Sequence, residues 1–518
     1  MRHSSYRARA WYQQLAAGKI PAGTSEKGIP KMKNEAGNAT NRREFIQGGA
    51  AVVGTLLASS VPAATEPKAG AKRPNLVFIY NEGQRADALS IAGHPIVKTP
   101  NQDRIGREGV RFTNAFCTNS LCAPARSSVL TGLWSRSSGA LDNQLLNTPL
   151  PSDIPIFTDL LHEAGFETAI LGKVHTRNGV KERYWDYYLG FNAPATNYYN
   201  PVFAEGRKGN VGPEKVYQGY CDDFVTDRAL EWLKEDRGDK PFCLLLWYQT
   251  PHAPFYRARR HLDLYNGVDI PKPQTFDDDL KGYPGKPRCF ADANNKIGTT
   301  VMGDAARSLE ELCKDYYAGL VAVDENIGRV FSHLEQAGQM DDTAIVHSSD
   351  HGYFLGEWRL FDKRLMHEPS IRVPMMIRYP QRVPAGVVRD EMVLDVDLAP
   401  TILDLARVET PKSMQGESMM KLAGADHPQW RQEWLYDYYE WPGPEQVRPH
   451  RGIRTKTHKL IHYYMEPQEF ELYDLTNDPG EVNNLCGDPA HASIQAQLTT
   501  NLARLLKQTP VRGGAHAS

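Results

Sequence analysis

The segment RPNLVFIYNEG, residues 73–83, contains five consecutive apolar residues, Leu76 to Tyr80, followed by polar residues and a glycine. A short apolar run bounded by turn residues predicts a strand that is buried on both faces of a sheet. The pattern recurs at 166–175, 241–248 and 343–349, and amphipathic helical segments occur at 159–165, 225–235 and 311–338. Helices alternating with such strands predict an α/β fold with a mostly parallel central sheet flanked by helices.

Polar side chains follow the ends of these predicted strands. They are Glu82, Lys173, His175, His252, Asp350 and His351. In open parallel sheets, ligands bind beyond the carboxyl ends of the strands. We therefore expect these side chains to converge on one site.

The chain changes character after residue 385. Residues 393–408 (VLDVDLAPTILDLARV) predict a helix, residues 452–464 and 469–475 predict antiparallel strands, and residues 494–508 predict a terminal helix. We expect a main domain at 74–385 and a smaller C-terminal α+β subdomain at 386–510 that carries an antiparallel sheet. The loop-rich stretch 256–308 predicts an excursion over the site.

Residues 1–64 are interpreted as an N-terminal extension with an export signal. NRREFIQGGAAVVGTLLASSVPAA, residues 41–64, has paired arginines, an apolar stretch and small residues suited to cleavage. This is typical of a twin-arginine signal, so we expect the bacterial twin-arginine export machinery as a partner and a periplasmic or secreted location. No later segment approaches the ~20 apolar residues of a membrane span, so none is expected after signal removal.

The net charge and the cysteine pattern limit the partners and the disulfides that this chain is expected to have. The formal net charge is -2 with 24% charged residues, which argues against a nucleic-acid partner. The seven cysteines show no CxxC pair and no regular framework, and their odd number leaves at least one without an intramolecular disulfide partner.

Cys122 lies in the most informative motif, SLCAPARSSVLTG at residues 120–132. Four further segments accompany it: GFETAILGKVH (165–175), SSDHGYFLGEWRLFDKRLMHEPSIRVPMMIRYP (348–380), RPHRGIRTKTHKLIHYY (448–464) and ELYDLTNDPGEVNNL (471–485). Together they resemble the formylglycine-dependent (type I) sulfatases of the alkaline phosphatase superfamily, in particular those that act on carbohydrates. The resemblance implies that the domain at 74–385 is catalytic.

The resemblance implies roles for the motif residues. Cys122 would be oxidised to formylglycine by a formylglycine-generating or sulfatase-maturating enzyme, and Arg126 would steady the aldehyde hydrate. The hydrate would attack sulfur, and its second hydroxyl would then expel sulfate. Lys173 and Lys363 resemble the two lysines that face the sulfate. His175 resembles the histidine that assists the hydrate, and His252 resembles the acid that protonates the leaving oxygen.

The implied metal site departs from the family pattern. The family usually has two aspartates where this chain has Glu82 and Gly83. The remaining ligands would be Glu82, the oxidised Cys122, Asp350 and His351. Oxygen ligands favour Ca²⁺, and the histidine also suits Mn²⁺.

The substrate is expected to be a sulfated carbohydrate. His450 and Arg454 are candidate sugar contacts, because the segment 448–464 resembles the part of carbohydrate sulfatases that reaches the sugar. Two alternatives stay open. One is a phosphodiester or phosphonate monoester hydrolase of the same superfamily, and the other is a non-catalytic binder of sulfated glycans.

Overall fold

The computed structural model describes residues 72–143, 150–176, 180–278, 280, 285–292, 296–297, 307–424, 427 and 429–512. The extension and export signal predicted at 1–64 therefore lie outside the described residues. Among the described helices, none combines the length and the apolar character needed to cross a membrane. All six cysteines whose side chains are described are free of disulfides.

Ten of the described strands form one mixed sheet. In chain order they are β1 (Asn75–Asn81), β2 (Val110–Phe116), β3 (Glu167–Lys173), β4 (Tyr187–Phe191), β5 (Val202–Arg207), β6 (Asn210–Val216), β7 (Phe242–Trp247), β8 (Thr343–Ser349), β11 (Met375–Arg378) and β12 (Val387–Leu394). Their order across the sheet is β12-β2-β11-β8-β1-β7-β3-β4-β5-β6. The short strands β9 (Phe354–Leu355) and β10 (Phe361–Asp362) form a separate hairpin.

The centre of the large sheet is parallel. Strand β1 pairs in parallel with β7 and β8, and β3 pairs in parallel with β7 and β4. Antiparallel pairs join β8 to β11 and β4 to β5. The mostly parallel sheet expected from the sequence is confirmed at its centre, and the antiparallel strands lie toward both edges.

Helices lie on both faces of this sheet. The helices described in this part of the chain are α1 (Pro100–Arg107), α2 (Cys122–Thr131), α3 (Ser135–Ser138), α4 (Phe157–Glu163), α5 (Cys221–Leu233), α6 (Arg288–Asp292), α7 (Leu309–Gln336), α8 (Glu368–Ile371), α9 (Leu398–Ala406) and α10 (Met420–Ala423). Leu76, Phe78 and Tyr80 of β1 pack in the core that includes α2, α4 and α9. Val77 and Ile79 point to the opposite core, which includes α1, α5 and α7. This alternation explains why the strand had to be apolar throughout.

The C-terminal part forms the expected antiparallel sheet. Its order is β13 (Glu433–Tyr438), β14 (His450–Thr455), β15 (His458–Tyr463) and β16 (Glu469–Asp474). Helix α11 (Ala492–Gln508) packs on one face through Leu498 and Leu502. The other face packs on residues that include Phe116 of the large sheet.

One helix prediction was wrong at its start. The segment 393–408 begins as the end of β12, passes through one turn of 3₁₀ helix at Asp395–Asp397, and becomes helical only at Leu398. The backbone of β12 pairs in parallel with β2, so this pairing overrides the helical pattern of its last residues. The boundary predicted at residue 385 stays a prediction, although β12 just beyond it belongs to the large sheet.

Candidate active site

The carboxyl ends of the parallel strands meet at one buried cluster, as the sequence predicts. Glu82 follows β1, Lys173 ends β3, and Asp350 and His351 follow β8. The first residue of α2, Cys122, lies against this edge, with its Sγ atom 3.0 Å from Glu82 Oε1. The topology of the sheet therefore creates the site from segments that are far apart in sequence.

Four side chains in this cluster form a group that fits a metal ion. One donor atom from each of Glu82, Cys122, Asp350 and His351 lies within 4.8 Å of the other three, and all four side chains are buried. His351 Nε2 lies 3.3 Å from Glu82 Oε1 and 3.4 Å from Asp350 Oδ1. His351 Nδ1 lies 2.8 Å from the Gly352 carbonyl, so Nδ1 donates a hydrogen bond and Nε2 faces the group. A backbone-anchored imidazole between two carboxylates is a typical metal-binding arrangement.

Arg126 orients both carboxylates toward this shared centre. Its Nη2 donates to Glu82 Oε2 at 2.8 Å and its Nε donates to Asp350 Oδ2 at 3.1 Å. A third bond runs from Nη1 to the carbonyl of Lys173 at 2.7 Å. Glu82 Oε1 and Asp350 Oδ1 are thus left on the side of His351. The rigid fork of a guanidinium suits this bridging role, which a lysine could not reproduce.

The electrostatics of the group favour a cation. Burial would raise the pKa of Glu82, but Lys173 and Lys363 hold that pKa well below its usual range. Burial, and then the negative charge of Glu82, raise the pKa of Asp350 to about 7. Asp350 raises the pKa of His351 to about 9 against the opposing effect of burial. The negative charge that favours a proton on His351 Nε2 would also favour a metal ion at this position. Such an ion would relieve the repulsion between the carboxylates of Glu82 and Asp350.

Gly83 has a backbone conformation that favours glycine. Its backbone has φ +66°, in the left-handed region, and its N–H donates to Asp350 Oδ1 at 2.9 Å. A Cβ atom here would lie 3.1 Å from Tyr353 Cδ2 and 3.4 Å from His351 Cε1. Position 83 therefore supplies a backbone donor that fixes Asp350, and the local space does not suit a side chain.

Two lysines approach the group from different segments. Lys173 Nζ lies 2.7 Å from Glu82 Oε2, and Lys363 Nζ lies 3.5 Å from Glu82 Oε1. Both side chains are buried. Burial would lower the pKa of Lys363, but Asp362 and the site anions hold it well above its usual value. Two buried lysine side chains near Cys122 make this part of the site suited to an anionic group.

Two histidines complete the cluster. His252 Nδ1 lies 2.5 Å from the Ala253 carbonyl, and its Nε2 lies 3.8 Å from Glu82 Oε1. Burial and the charges of Lys173 and Lys363 lower the pKa of His252 well below its usual value. His175 has a positive φ of 37°, and neither of its buried ring nitrogens has a hydrogen-bond partner among the described residues. Both imidazoles are therefore available to a ligand.

Comparisons with known proteins identify the family. The sulfatase family model matches residues 74–408, and the model described as N-sulphoglucosamine sulphohydrolase, C-terminal, matches residues 356–508. The chain is also 34% identical over 513 residues to an N-acetylglucosamine-6-O-sulfatase of Bacteroides thetaiotaomicron, covering 88% of this chain and 90% of the relative. The chain belongs to the sulfatase family. The resemblance expected from Cys122 and its accompanying motifs is thus confirmed, and the protein is a sulfuric ester hydrolase of the alkaline phosphatase superfamily.

Solved structures agree with this assignment. A structure described as a complex with its substrate D-glucosamine-2-N,6-O-disulfate has a TM-score of 0.79 at 32% identity, covering 86% of this sulfatase and 100% of that chain. A phosphonate monoester hydrolase from Silicibacter pomeroyi has a TM-score of 0.71 at 23% identity, covering 85% and 96%. The second likeness shows the shared fold alone.

The two predicted sugar contacts lie outside this group of side chains. Arg454 of the sulfatase forms a bidentate ion pair with Glu368, at 2.9 and 3.2 Å, and lies over the ring of Phe116. His450 is buried among the rings of Tyr436, Tyr438 and Tyr463. Its Nδ1 lies 2.9 Å from the Arg448 carbonyl, while Nε2 has no partner among the described residues. Their roles as sugar contacts stay predictions, and both side chains have structural partners in place.

Sequence reasoning missed a buried charge network next to Lys363. Arg364 pairs with Asp362 at 2.6 Å, with Glu440 at 3.2 Å and with Glu445 at 2.8 Å. Asp362 Oδ1 also lies 3.3 Å from Lys363 Nζ, so the network fixes the lysine from behind. The run DKR at 362–364 signalled a charged cluster, but two of the acidic partners, Glu440 and Glu445, come from a segment 76–81 residues further along the chain. Nothing in the local sequence connected the two.

Proposed function

We propose that this sulfatase hydrolyses a sulfate ester of a sulfated glucosamine, with the oxidised form of Cys122 as nucleophile and a divalent cation as cofactor. The observation that carries the proposal is the contact of Cys122 with the group formed by Glu82, Asp350 and His351. A buried cysteine whose Sγ lies 3.0 Å from Glu82 Oε1 and 3.6 Å from His351 Nε2, near two lysines, is well placed for reaction with an anionic ester.

The substrate class rests on two relatives. One is named an N-acetylglucosamine-6-O-sulfatase, and the other is described in complex with D-glucosamine-2-N,6-O-disulfate. Both descriptions share a glucosamine with a 6-O-sulfate, and this is the ester that we assign to the present enzyme.

The reactive group is formylglycine made from Cys122 by a formylglycine-generating or sulfatase-maturating enzyme. When present, this aldehyde supplies a hydrate with one hydroxyl to attack sulfur and another to expel sulfate afterwards. Residue 122 opens α2, so the positive end of the helix faces the reacting atoms. Burial and Glu82 oppose ionisation of the thiol, yet Lys173 and Lys363 lower the pKa of Cys122 to about 7. This microenvironment favours negative charge on the atom at position 122.

The two lysines bind and orient the ester. Lys173 and Lys363 contact different carboxylate oxygens of Glu82, and both act electrostatically on residue 122. Charge on the sulfate oxygens would be stabilised by these fixed cations without rearrangement. Removing one such donor in other enzymes costs about 10²–10³ in turnover.

The two histidines handle protons. His252 Nδ1 is committed to the Ala253 carbonyl, so only Nε2 can deliver a proton to the leaving sugar oxygen. Burial, together with the charges of Lys173 and Lys363, lowers the pKa of His252 and keeps it neutral at rest, and a bound sulfate anion would offset those charges and raise the pKa. His175, with both nitrogens unpartnered among the described residues, assists the hydroxyl groups at residue 122.

The cofactor is a divalent cation, Ca²⁺ or Mn²⁺, held by Glu82, Asp350, His351 and the oxygen of the oxidised residue 122. Two carboxylates favour Ca²⁺, and the imidazole extends the choice to Mn²⁺. Such a cation would polarise the sulfate and stabilise negative charge on the nucleophile. Arg126 would keep both carboxylates aimed at it.

We also propose that the enzyme works in the periplasm or outside the cell after twin-arginine export. The support is the sequence at 41–64, with its paired arginines and apolar stretch. Because this route carries folded proteins, the oxidation of Cys122 is completed before export.

The function is tested with matured enzyme purified from a host that supplies the maturating enzyme. Mass spectrometry of the residue-122 peptide should show an aldehyde, and glucosamine 6-sulfate should release sulfate in a metal-dependent reaction. A thiol at residue 122 in active enzyme would contradict the nucleophile. Dominant turnover of an aryl phosphonate monoester would favour a phosphonate hydrolase. Binding of the sulfated sugar without sulfate release by matured protein would favour a non-catalytic binder.

A further inference from the structure

We infer that Tyr198 and Asp222, two buried residues outside the catalytic cluster, are positioning residues for His252. The inference rests on the proposed role of His252 as the acid for the leaving group. Both side chains hold the backbone of the turn at residues 249–252, which ends at that imidazole. Among the described residues, neither side chain forms a hydrogen bond or ion pair with the group of Glu82, Cys122, Asp350 and His351.

Tyr198 holds the carbonyl end of the turn. It follows β4 in the chain, its side chain is buried, and its hydroxyl donates to the carbonyl of His252. The backbone N–H of Phe255 donates to the same carbonyl at 3.1 Å. The carbonyl of His252 is therefore fixed by two donors, and Tyr198 is the one that reaches it from a different segment.

Asp222 holds the beginning of the same turn. As the second residue of α5 it is buried, and its two oxygens accept from the N–H groups of Gln249 at 3.1 Å and Thr250 at 3.2 Å. The carbonyl of Gln249 in turn accepts from the N–H of His252 at 3.0 Å. Two charge-assisted hydrogen bonds thus fix the backbone that follows β7 and leads to His252.

The imidazole follows its backbone closely. His252 Nδ1 is bonded to the carbonyl of the next residue, Ala253, at 2.5 Å, so the ring has little freedom relative to the main chain. A shift of the turn would move Nε2 by a similar amount. Displacement of a catalytic group by ~1 Å can reduce a rate by about 10²-fold. Residues that act only through the acid should matter only when the leaving group needs a proton.

The test compares two leaving groups on matured, metal-loaded enzyme. Glucosamine 6-sulfate releases an alkyl alcohol that requires protonation, whereas 4-nitrophenyl sulfate releases a stable phenolate. His252→Ala should lower kcat on the sugar by about 10²–10⁴-fold and on the aryl ester far less. Tyr198→Phe and Asp222→Asn should each lower kcat on the sugar by about tenfold, which is less than the ~10²-fold effect of a full misplacement. In both variants, kcat on the aryl ester should change by less than about twofold.

Two matched variants separate positioning from general loosening. Tyr199→Phe removes a hydroxyl that donates to the Arg257 carbonyl at 2.8 Å, five residues beyond His252, and this tyrosine is the next residue after Tyr198 in the chain. Asp324→Asn alters another buried carboxylate that accepts from two consecutive backbone N–H groups, those of Asn101 and Gln102. Both controls should leave the ratio of the two kcat values unchanged.

The possible results are distinct. A leaving-group-dependent loss in Tyr198→Phe or Asp222→Asn, with KM unchanged and both controls silent, supports the inference. Equal losses on both substrates would overturn it, because they would reveal a structural role alone. If His252→Ala itself lacks leaving-group dependence, the proposed acid role fails and the inference fails with it. Should Tyr198→Phe not fold, Asp222→Asn carries the same comparison.

Discussion

Glu82→Gln should uncouple the metal from an otherwise intact site. Glu82 Oε2 accepts Arg126 at 2.8 Å and lies 2.7 Å from Lys173 Nζ, while its Oε1 faces Cys122 and His351. The amide keeps the shape of the side chain but removes one negative charge. The three cations Arg126, Lys173 and Lys363 would then be balanced by fewer carboxylates.

The expected magnitude follows from the distances within the group. Its donor atoms lie within 4.8 Å of one another, so a cation among them would lie closer than that to Glu82. A unit charge and a divalent cation ~4 Å apart interact by about 8 kcal/mol at the effective dielectric near a protein surface, twice the value for two unit charges. The retained amide oxygen offsets part of this loss. Because about 1.4 kcal/mol corresponds to tenfold, we expect Ca²⁺ affinity to fall by about 10²–10³-fold.

Isothermal titration of chelator-stripped, matured protein with Ca²⁺ and with Mn²⁺ measures this effect. The matched control is Glu481→Gln, which also neutralises a buried carboxylate paired with a lysine, Lys459, at 2.6 Å. The control should lose stability and keep its metal affinity. Unchanged Ca²⁺ affinity in folded Glu82→Gln would refute the placement of Glu82 among the ligands.

Three further variants test separate features of the site. Cys122→Ala should abolish turnover and leave the near-UV circular dichroism unchanged, and substantial residual turnover would contradict the nucleophile. Gly83→Asp, which introduces the aspartate that the family resemblance implies here, should lower stability by about 1–2 kcal/mol because φ is +66° there, and a rise in thermal stability would be inconsistent with that strain. His450→Phe should flatten the pH dependence of stability. Burial lowers the pKa of His450 to about 4, so the unfolded chain binds the extra proton below pH ~6.5 and the wild type loses up to about 3 kcal/mol as pH falls through that window. Chemical unfolding at pH 8 and pH 5 measures the difference, and identical pH profiles for variant and wild type would rule out this titration. A large rise in KM in the same variant would instead support His450 as a sugar contact.

The central strands and most of the cluster were predictable because both depend on local patterns. The apolar runs around Val77, Ile170, Leu245 and Val346 can be buried only in a two-sided sheet, and the polar residues that follow them must then meet at one edge. The antiparallel edge strands β5 and β6 were not predicted. Their residues alternate weakly and include the glycines Gly206 and Gly212, so their pairing depends on the neighbouring strand β4.

The bridging role of Arg126 and the network around Arg364 could not be predicted for a related reason. The sequence places Arg126 four residues after Cys122, which predicts proximity on one helix face. It does not reveal that the guanidinium joins the ends of β1 and β8 through Glu82 and Asp350. Such ion pairs form only when the fold brings distant segments together, so the local sequence does not reveal the partner of a buried charge.

The burial of Cys122 limits when another protein can reach this residue. The thiol has 1% relative exposure, and every residue of α2 is buried. Under the proposed mechanism, the protein that oxidises this residue would have to engage it while the segment is still extended. Chains that fold first would then stay inactive, with their stability intact. The active fraction of a preparation would depend on the relative rates of folding and oxidation, and slower synthesis or a more abundant oxidising partner would raise it without any change in the enzyme itself.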